Sequence, residues 1–135
     1  MTRNISLDTI RAAAGRIYPV AARTPLIRLD PVGKHAPEIF LKLEIFQPIG
    51  SFKIRGAMNA VAKLDRADLR DGIWTVSAGN AAQGVALAAR EAGAKASVLV
   101  METAPTAKLS AIERLGATIV KATYEECWQT VESHR

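Results

Sequence analysis

The second half of the chain alternates short apolar segments with amphipathic stretches, and this alternation restricts the fold more than any other feature. The two predicted helices with both ends in view stop alike, at Gly93 and Gly116, and glycine suits the position just past a helix. Strands separated by helices pair in parallel through right-handed crossovers. The sequence therefore predicts an α/β fold built of parallel βα units. The predicted strands are 73–76, 96–101 and 119–120, and the predicted helices are 81–92, 105–116 and a third from Tyr124.

The first part of the chain is less regular but still carries element signals. Ser6 is a suitable cap for a helix over 6–17, which Tyr18 and Pro19 end. Two short strands are expected at 25–29 and 39–44, with a turn over 30–33 between them. Ser51 follows two chain breakers and is the expected N-cap of a helix that runs out near 65–71.

Composition narrows the function classes. A chain of 135 residues with 49% apolar residues can bury one domain core. The net charge of +5 is spread without clusters, so we expect a solvated surface and no nucleic-acid partner. Cys127 is the sole cysteine and the two histidines lie far apart, which leaves no pattern for a disulfide or a metal site. With no signal core and no membrane-length apolar run, a cytoplasmic protein without a membrane partner is expected.

Lys53 is the strongest candidate for a catalytic residue. It falls in the first turn of a predicted helix, where the helix dipole disfavours an ammonium group and where cations are not normally placed. Burial beside Phe52 would disfavour the charge further, and an uncharged amine is what attack on an aldehyde requires. From these residues alone, a surface lysine that happens to lie near a helix start remains an alternative.

Lys53 belongs to a set of motif segments, which are Thr24–Leu26, Leu41–Glu44, Gln47 and Gly50–Ala57. These segments resemble the cofactor-lysine motif of the fold type II pyridoxal-phosphate enzymes, above all the serine/threonine dehydratases and serine racemases. The resemblance implies pyridoxal 5'-phosphate as cofactor and the tryptophan synthase β-like architecture. It also implies that Lys53 carries the cofactor as a Schiff base and that Phe52 lies against the pyridine ring.

A second loop, residues 76–84, joins a predicted strand to a predicted helix. Gly79 allows close approach of a ligand, and the N–H groups that begin the helix form an anion site. Seen alone, a tight turn without a ligand is an equally good interpretation. Beside Lys53, the loop resembles the second signature loop of the same family.

That resemblance assigns a role to each position of the loop. It implies that Ser77, Gly79 and nearby backbone amides hold the substrate carboxylate, and that Asn80 hydrogen-bonds the phenolic oxygen of the cofactor. Gln83 is expected nearby. Many relatives have histidine where Ala81 stands, which puts the substrate preference in doubt.

Ala78 separates two activities within the family. The resemblance implies that serine racemases carry at this position a serine whose hydroxyl acts on the face opposite the lysine. Ala78 cannot transfer a proton, so elimination is favoured over racemisation. The implied reaction converts L-threonine, L-serine or a related β-hydroxy amino acid to a 2-oxo acid and ammonia; a racemase-like enzyme is the alternative.

The resemblance also implies a division of the chain. Residues 1–46 would belong to a larger cofactor domain and residues 47–135 to most of a smaller substrate domain. The family's phosphate-binding glycine loop has no counterpart up to Arg135, where the last predicted helix stops without a cap. We therefore expect a fragment of an enzyme that forms homo-oligomers when complete, or a truncated and inactive domain.

Overall fold

The computed structural model describes residues 5–30, 33 and 36–133. None of the helices in these ranges has the length and apolar character needed to cross a membrane. The helices are α1 (Leu7–Ile17), α2 (Lys53–Val61), α3 (Arg66–Arg70), α4 (Asn80–Glu91), α5 (Thr106–Glu113) and α6 (Tyr124–Ser133). The strands are β1 (Leu26–Arg28), β2 (Phe40–Lys42), β3 (Ile73–Val76), β4 (Ala96–Met101) and β5 (Thr118–Ala122), and a 3₁₀ turn covers Glu44–Phe46.

Strands β3, β4 and β5 form a parallel three-stranded sheet in that order, which confirms the predicted α/β fold with parallel βα units. The register places Thr75 beside Val98 and Val98 beside Ile119. Gly93 and Gly116 follow α4 and α5 with φ of 69° and 91°, the left-handed region that glycine enters without strain. The predicted end of α4 is therefore confirmed, whereas α5 ends at Glu113, three residues before the Gly116 at which it was predicted to stop.

The core lies in two clusters that share helix α4. One cluster forms where α4 and α5 cover one face of the parallel sheet, with Val98 and Ile112 fully buried. The second joins α1, α2 and the opposite side of α4. Alanines dominate the inner faces of α4, and small side chains let neighbouring backbones approach closely. The second cluster contains Ile17, Ala21, Ile49, Ile54, Met58, Val61, Leu87 and Ala88.

The other face of the parallel sheet is only partly covered. Helix α6 lies over β3 and β4 there and buries Cys127. Trp74, Val120 and Trp128 keep about half of their surface exposed, at 48%, 46% and 54%. The sheet thus has one closed face and one open, apolar face.

Strands β1 and β2 differ from the rest because they pair antiparallel, with Leu26 opposite Lys42. The parallel arrangement expected for the strands does not extend to this pair. The connection between them is short, and a short connection favours antiparallel pairing because a parallel one needs a longer crossover. Of the turn predicted between them, Pro31 and Val32 lie outside the described residues.

The start of α2 also differs from the prediction. Its N-cap is Phe52, whose backbone is already helical, rather than Ser51. The Ser51 hydroxyl instead accepts a hydrogen bond from the N–H of Lys53 at 3.3 Å, within the turn that precedes the helix. The predicted single helix is split in two, because the Asp65 side chain accepts the N–H of Asp68 at 2.9 Å and so caps a separate helix α3.

Candidate active site

Lys53 is the first residue of α2, and its amine lies 5.2 Å from the centre of the Phe52 ring. The expected burial of this pair is wrong for the described residues, since Lys53 is exposed and Phe52 is 58% exposed. Helix geometry explains the difference. Ile54, Met58 and Val61 occupy the inward face of α2, and Phe52 and Lys53, just before Ile54, are turned toward solvent.

The second loop follows directly from β3. The Ser77 hydroxyl accepts the N–H of Gly79 at 3.2 Å, and Ala78 packs against the sheet core. Gly79 is the N-cap of α4, where no side chain of the described residues caps the helix. A Cβ at Gly79 would meet only the Ser77 hydroxyl, at 4.0 Å. Apart from the N–H of Gly79, which the Ser77 hydroxyl accepts, the N–H groups that begin the helix have no side-chain cap among the described residues, which is an arrangement suited to an anion.

The remaining predicted residues of this loop lie in the first turn of α4. Asn80 is the first helical residue and is exposed, whereas Ala81 and Gln83 are half-buried. Among the described contacts, no hydrogen bond joins the Lys53 side chain to any residue of 77–83. The two loops are brought together by packing instead.

Gly84 is the residue that makes this packing possible. A Cβ at Gly84 would lie 3.2 Å from the carbonyl oxygen of Lys53 and 3.3 Å from the Cβ of Ala57. Helix α4 thus rests its first turns on the first turns of α2 with no room for a side chain between them. The lysine and the open helix N-terminus consequently lie on adjoining helix ends.

A polar network that the sequence did not predict lies beneath this site. Arg55 forms a two-pronged ion pair with Glu44, with both N···O distances at 2.8 Å. The same guanidinium donates to the carbonyl of Ala22 at 3.1 Å, and the Thr24 hydroxyl donates to Glu44 at 2.5 Å. The side chains of Arg55 and Glu44 are only 22% and 17% exposed.

Gln47 extends this network because its side-chain amide exchanges two hydrogen bonds with the main chain of Ala22, as a neighbouring strand would. Its side-chain oxygen accepts the N–H of Ala22 at 2.9 Å, and its amide donates to the carbonyl of Ala22 at 3.0 Å. Lys42 donates to the carbonyl of Thr24. We call Thr24, Glu44, Gln47 and Arg55, with the Ala22 main chain, the anchoring network. The sequence shows Glu44, Gln47 and Arg55 within the cofactor-lysine motif, but it does not indicate which of these side chains contact each other.

The anchoring network changes the ionisation of its acid. The hydrogen bond from Arg55 is the largest influence on Glu44, and Thr24, the Arg55 charge and Gln47 act in the same direction, against a smaller opposing effect of burial. Together they lower the pKa of Glu44 from 4.5 to about 2. The hydrogen bond to Glu44 likewise raises the pKa of Arg55. The pair is therefore ionised at every pH at which proteins are usually handled.

The fold and the two loops define a parallel α/β protein with an exposed lysine beside an uncapped helix N-terminus. No group of three or more metal-binding side chains occurs in the described ranges. A family model described as pyridoxal-phosphate dependent enzyme matches residues 17–134. The chain belongs to this family.

Individual relatives carry two kinds of name. The chain is 43% identical over 108 residues to a protein of Solanum lycopersicum named threonine dehydratase 1 biosynthetic, chloroplastic. It is 38% identical over 114 residues to a serine racemase of Schizosaccharomyces pombe. The solved structure of maize serine racemase superposes with a TM-score of 0.81 at 35% identity, covering 95% of this chain and 40% of that one.

The chain spans a minor part of these relatives. The matches cover 79% and 84% of this chain but only 18% of the tomato protein and 35% of the yeast protein.

Proposed function

We propose that this chain forms the lysine-bearing part of a pyridoxal-phosphate-dependent dehydratase. The reaction would convert L-threonine, L-serine or a related β-hydroxy amino acid to a 2-oxo acid and ammonia. The single observation that carries the proposal is the packing of α4 on α2 at Gly84, which brings the main chain of Lys53 against the first turns of a helix whose N-terminus has no side-chain cap. The similarity to a threonine dehydratase supports the choice of reaction.

The residues fit the cofactor by their chemistry. The Lys53 amine is exposed and can reach an aldehyde, and the Phe52 ring beside it offers a flat apolar surface for a pyridine ring. Asn80 is exposed at the start of α4, where its amide is free to donate to a phenolic oxygen. Phe52 and Lys53 would then be covered when the cofactor is present.

The chain's own residues have distinct tasks in this reaction. Pyridoxal phosphate, when bound, supplies an electron-withdrawing ring that lowers the energy of removing the proton from the substrate α-carbon. Lys53 Nζ would hold the cofactor and would later accept that α-proton. The N–H groups of the first turn of α4, with the Ser77 hydroxyl, would bind the substrate carboxylate, and Gly79 would allow its close approach. Ala81 and Gln83 would border the bound substrate.

Racemisation of serine is the second candidate, because the chain also resembles proteins named serine racemase. A racemase needs a proton donor on the face of the substrate opposite the lysine. The position expected to supply it is Ala78, which has no ionisable group. We therefore favour elimination over racemisation.

Several properties of the complete protein stay predictions. These are the assignment of residues 1–46 to a larger cofactor domain and 47–135 to a smaller substrate domain, the homo-oligomeric state and the cytoplasmic location. The truncated, inactive domain is the alternative to an enzyme. A full-length protein that contains this chain and releases ammonia from L-serine or L-threonine would exclude that alternative.

Covalent labelling tests the central assignment directly. The chain is incubated with excess pyridoxal phosphate, reduced with borohydride, digested and analysed by mass spectrometry. Lys53 is expected to carry most of the label, and Lys53→Ala is expected to lose it. Lys63→Ala, which removes an exposed lysine just past α2, is the matched control and should leave the labelling unchanged. Equal labelling of Lys53 and Lys63 would refute the assignment.

A further inference from the structure

The anchoring network and Lys53 are connected through one short loop. Gln47 and Arg55 lie on either side of residues 48–54, which contain the approach to α2 and its first two residues. Both side chains are fixed to the same main-chain residue, Ala22, by hydrogen bonds of 2.9 to 3.1 Å. The loop that delivers Lys53 is therefore held at its two ends by one common support.

The support does not compete with the lysine for space. Arg55 lies two positions beyond Lys53, and residues two apart on a helix face different sides. Arg55 is thus turned toward Ala22 and Glu44 while the amine of Lys53 remains exposed. The network can fix the direction of the helix start without touching the group that reacts.

The interior of the loop is ordered by the same region. Gln47 and Ser51 are 4% and 6% exposed, and Ile49 between them joins the second core cluster. The carbonyl of Gln47 accepts the N–H of Gly50 at 2.7 Å, in a turn where Gly50 has a φ of 64°. On the far side, Gly84 of α4 rests against the carbonyl of Lys53. The start of α2 is thus fixed from two directions.

An ion pair is an inefficient way to stabilise such a junction. Removing two charges from water offsets much of their attraction, and apolar side chains of similar size often stabilise a protein as well or better. What a two-pronged pair adds is a defined direction, because a guanidinium and a carboxylate in this geometry fix each other's orientation. The network is therefore suited to setting geometry.

We propose that Glu44, Gln47 and Arg55 are positioning residues that orient Lys53 for attachment of the cofactor. The proposal rests on the function proposed above for Lys53. It predicts that Arg55→Lys, which keeps the charge but loses the two-pronged geometry, slows attachment of pyridoxal phosphate to Lys53 selectively. Since displacements of about 1 Å can lower rates by about a hundredfold, we expect a loss of at least about tenfold.

The test compares two lysines in the same molecules. The rate of borohydride-trapped labelling at Lys53 is divided by the rate at Lys63, in the unchanged chain and in Arg55→Lys. Val98→Ala is the control, because it cuts a fully buried side chain from the other core cluster and lowers stability without touching the network. We expect the ratio to fall at least about tenfold in Arg55→Lys and to hold in Val98→Ala.

Each failure has its own signature. An unchanged ratio in Arg55→Lys, or an equal fall in Val98→Ala, would overturn the positioning role while leaving Lys53 as the cofactor lysine. A ratio near one in the unchanged chain would overturn the proposed function and the positioning role with it. If Arg55→Lys does not fold, as judged by circular dichroism, Glu44→Gln replaces it, since it keeps the side-chain shape and removes the charge.

Discussion

Replacing Gly84 by alanine tests the contact that joins the two halves of the candidate site. In the interior of a helix, alanine is favoured over glycine by about 1 kcal/mol. At Gly84 the new methyl group would lie 3.2 Å from the Lys53 carbonyl oxygen and 3.3 Å from the Ala57 Cβ. Both distances are shorter than ordinary van der Waals contact, so α2 and α4 would have to separate by a few tenths of an ångström.

The magnitude follows from the two opposing effects. Crowding in a packed interior costs about 1–3 kcal/mol, which offsets or exceeds the gain in helix propensity. We therefore expect Gly84→Ala to lower the free energy of unfolding by up to about 2 kcal/mol. Gly56→Ala is the matched control, because Gly56 lies in α2 and a Cβ there meets no atom within 4 Å. That variant should be more stable than the unchanged chain by up to about 1 kcal/mol.

Urea denaturation followed by circular dichroism measures both variants, and a constant slope shows that the unfolded states are comparable. The difference between the two variants is expected to be about 1–3 kcal/mol, with Gly84→Ala the less stable. Equal stability of the two would mean that α2 and α4 do not approach as closely as described. The explanation for the relative placement of the two loops would then be wrong.

Three further predictions concern charge, reaction type and the isolated chain. A pKa of Glu44 near 2 instead of 4.5 corresponds to about 3 kcal/mol, and allowing for its partial exposure we expect Glu44→Gln to cost about 1–3 kcal/mol at pH 7. Because the pKa of Glu44 is lower in the folded state than in the unfolded state, this loss of stability should persist above pH 4.5 and vanish as the pH falls toward 2. The control Glu38→Gln, in the exposed pair with Arg28, should change the stability by less than about 0.5 kcal/mol. Equal losses in Glu44→Gln and Glu38→Gln would contradict this prediction. A full-length protein containing this chain should deaminate L-serine far faster than it racemises it, whereas Ala78→Ser should raise the yield of D-serine. Chiral chromatography measures both products, and formation of D-serine by the unchanged protein at a rate comparable to that of the 2-oxo acid would refute the role given to Ala78. The isolated chain should bind pyridoxal phosphate weakly and release little ammonia from L-serine or L-threonine, because the side chains of Phe52 and Lys53 remain exposed. Turnover near that of a full-length relative would contradict this prediction.

The sequence by itself determined the regular half of the fold. The bounds of β3 and β4 agree with the prediction, and both predicted glycine helix ends have positive φ. These features are local, since a strand or helix of this length shows its period and its turn residues within a few positions of the chain. The family resemblance was also visible in the sequence, because the loop around Lys53 and the loop over residues 76–84 are each continuous segments of the chain.

Local signals were less reliable where a choice depended on neighbours in space. Ser51 is a residue type that caps helices well, yet the N-cap of α2 is Phe52, whose backbone is already helical. The Ser51 hydroxyl accepts the N–H of Lys53 within the preceding turn. Strands β1 and β2 were recognised, but their antiparallel pairing depends on how the connection between them returns. The exposure of Phe52 depends on which face of α2 the core occupies.

Only the tertiary structure decided how the candidate site is assembled. The reason is the distance along the chain: Arg55 contacts Glu44 from 11 positions away and Ala22 from 33 positions away, and periodicity does not record such contacts. Gly84 reads in the sequence as an ordinary weak point in a helix, and only the packing of α4 on α2 shows why a side chain is excluded there. The sequence predicts Lys53 as the reactive residue, and long-range contacts determine what lies beside its helix.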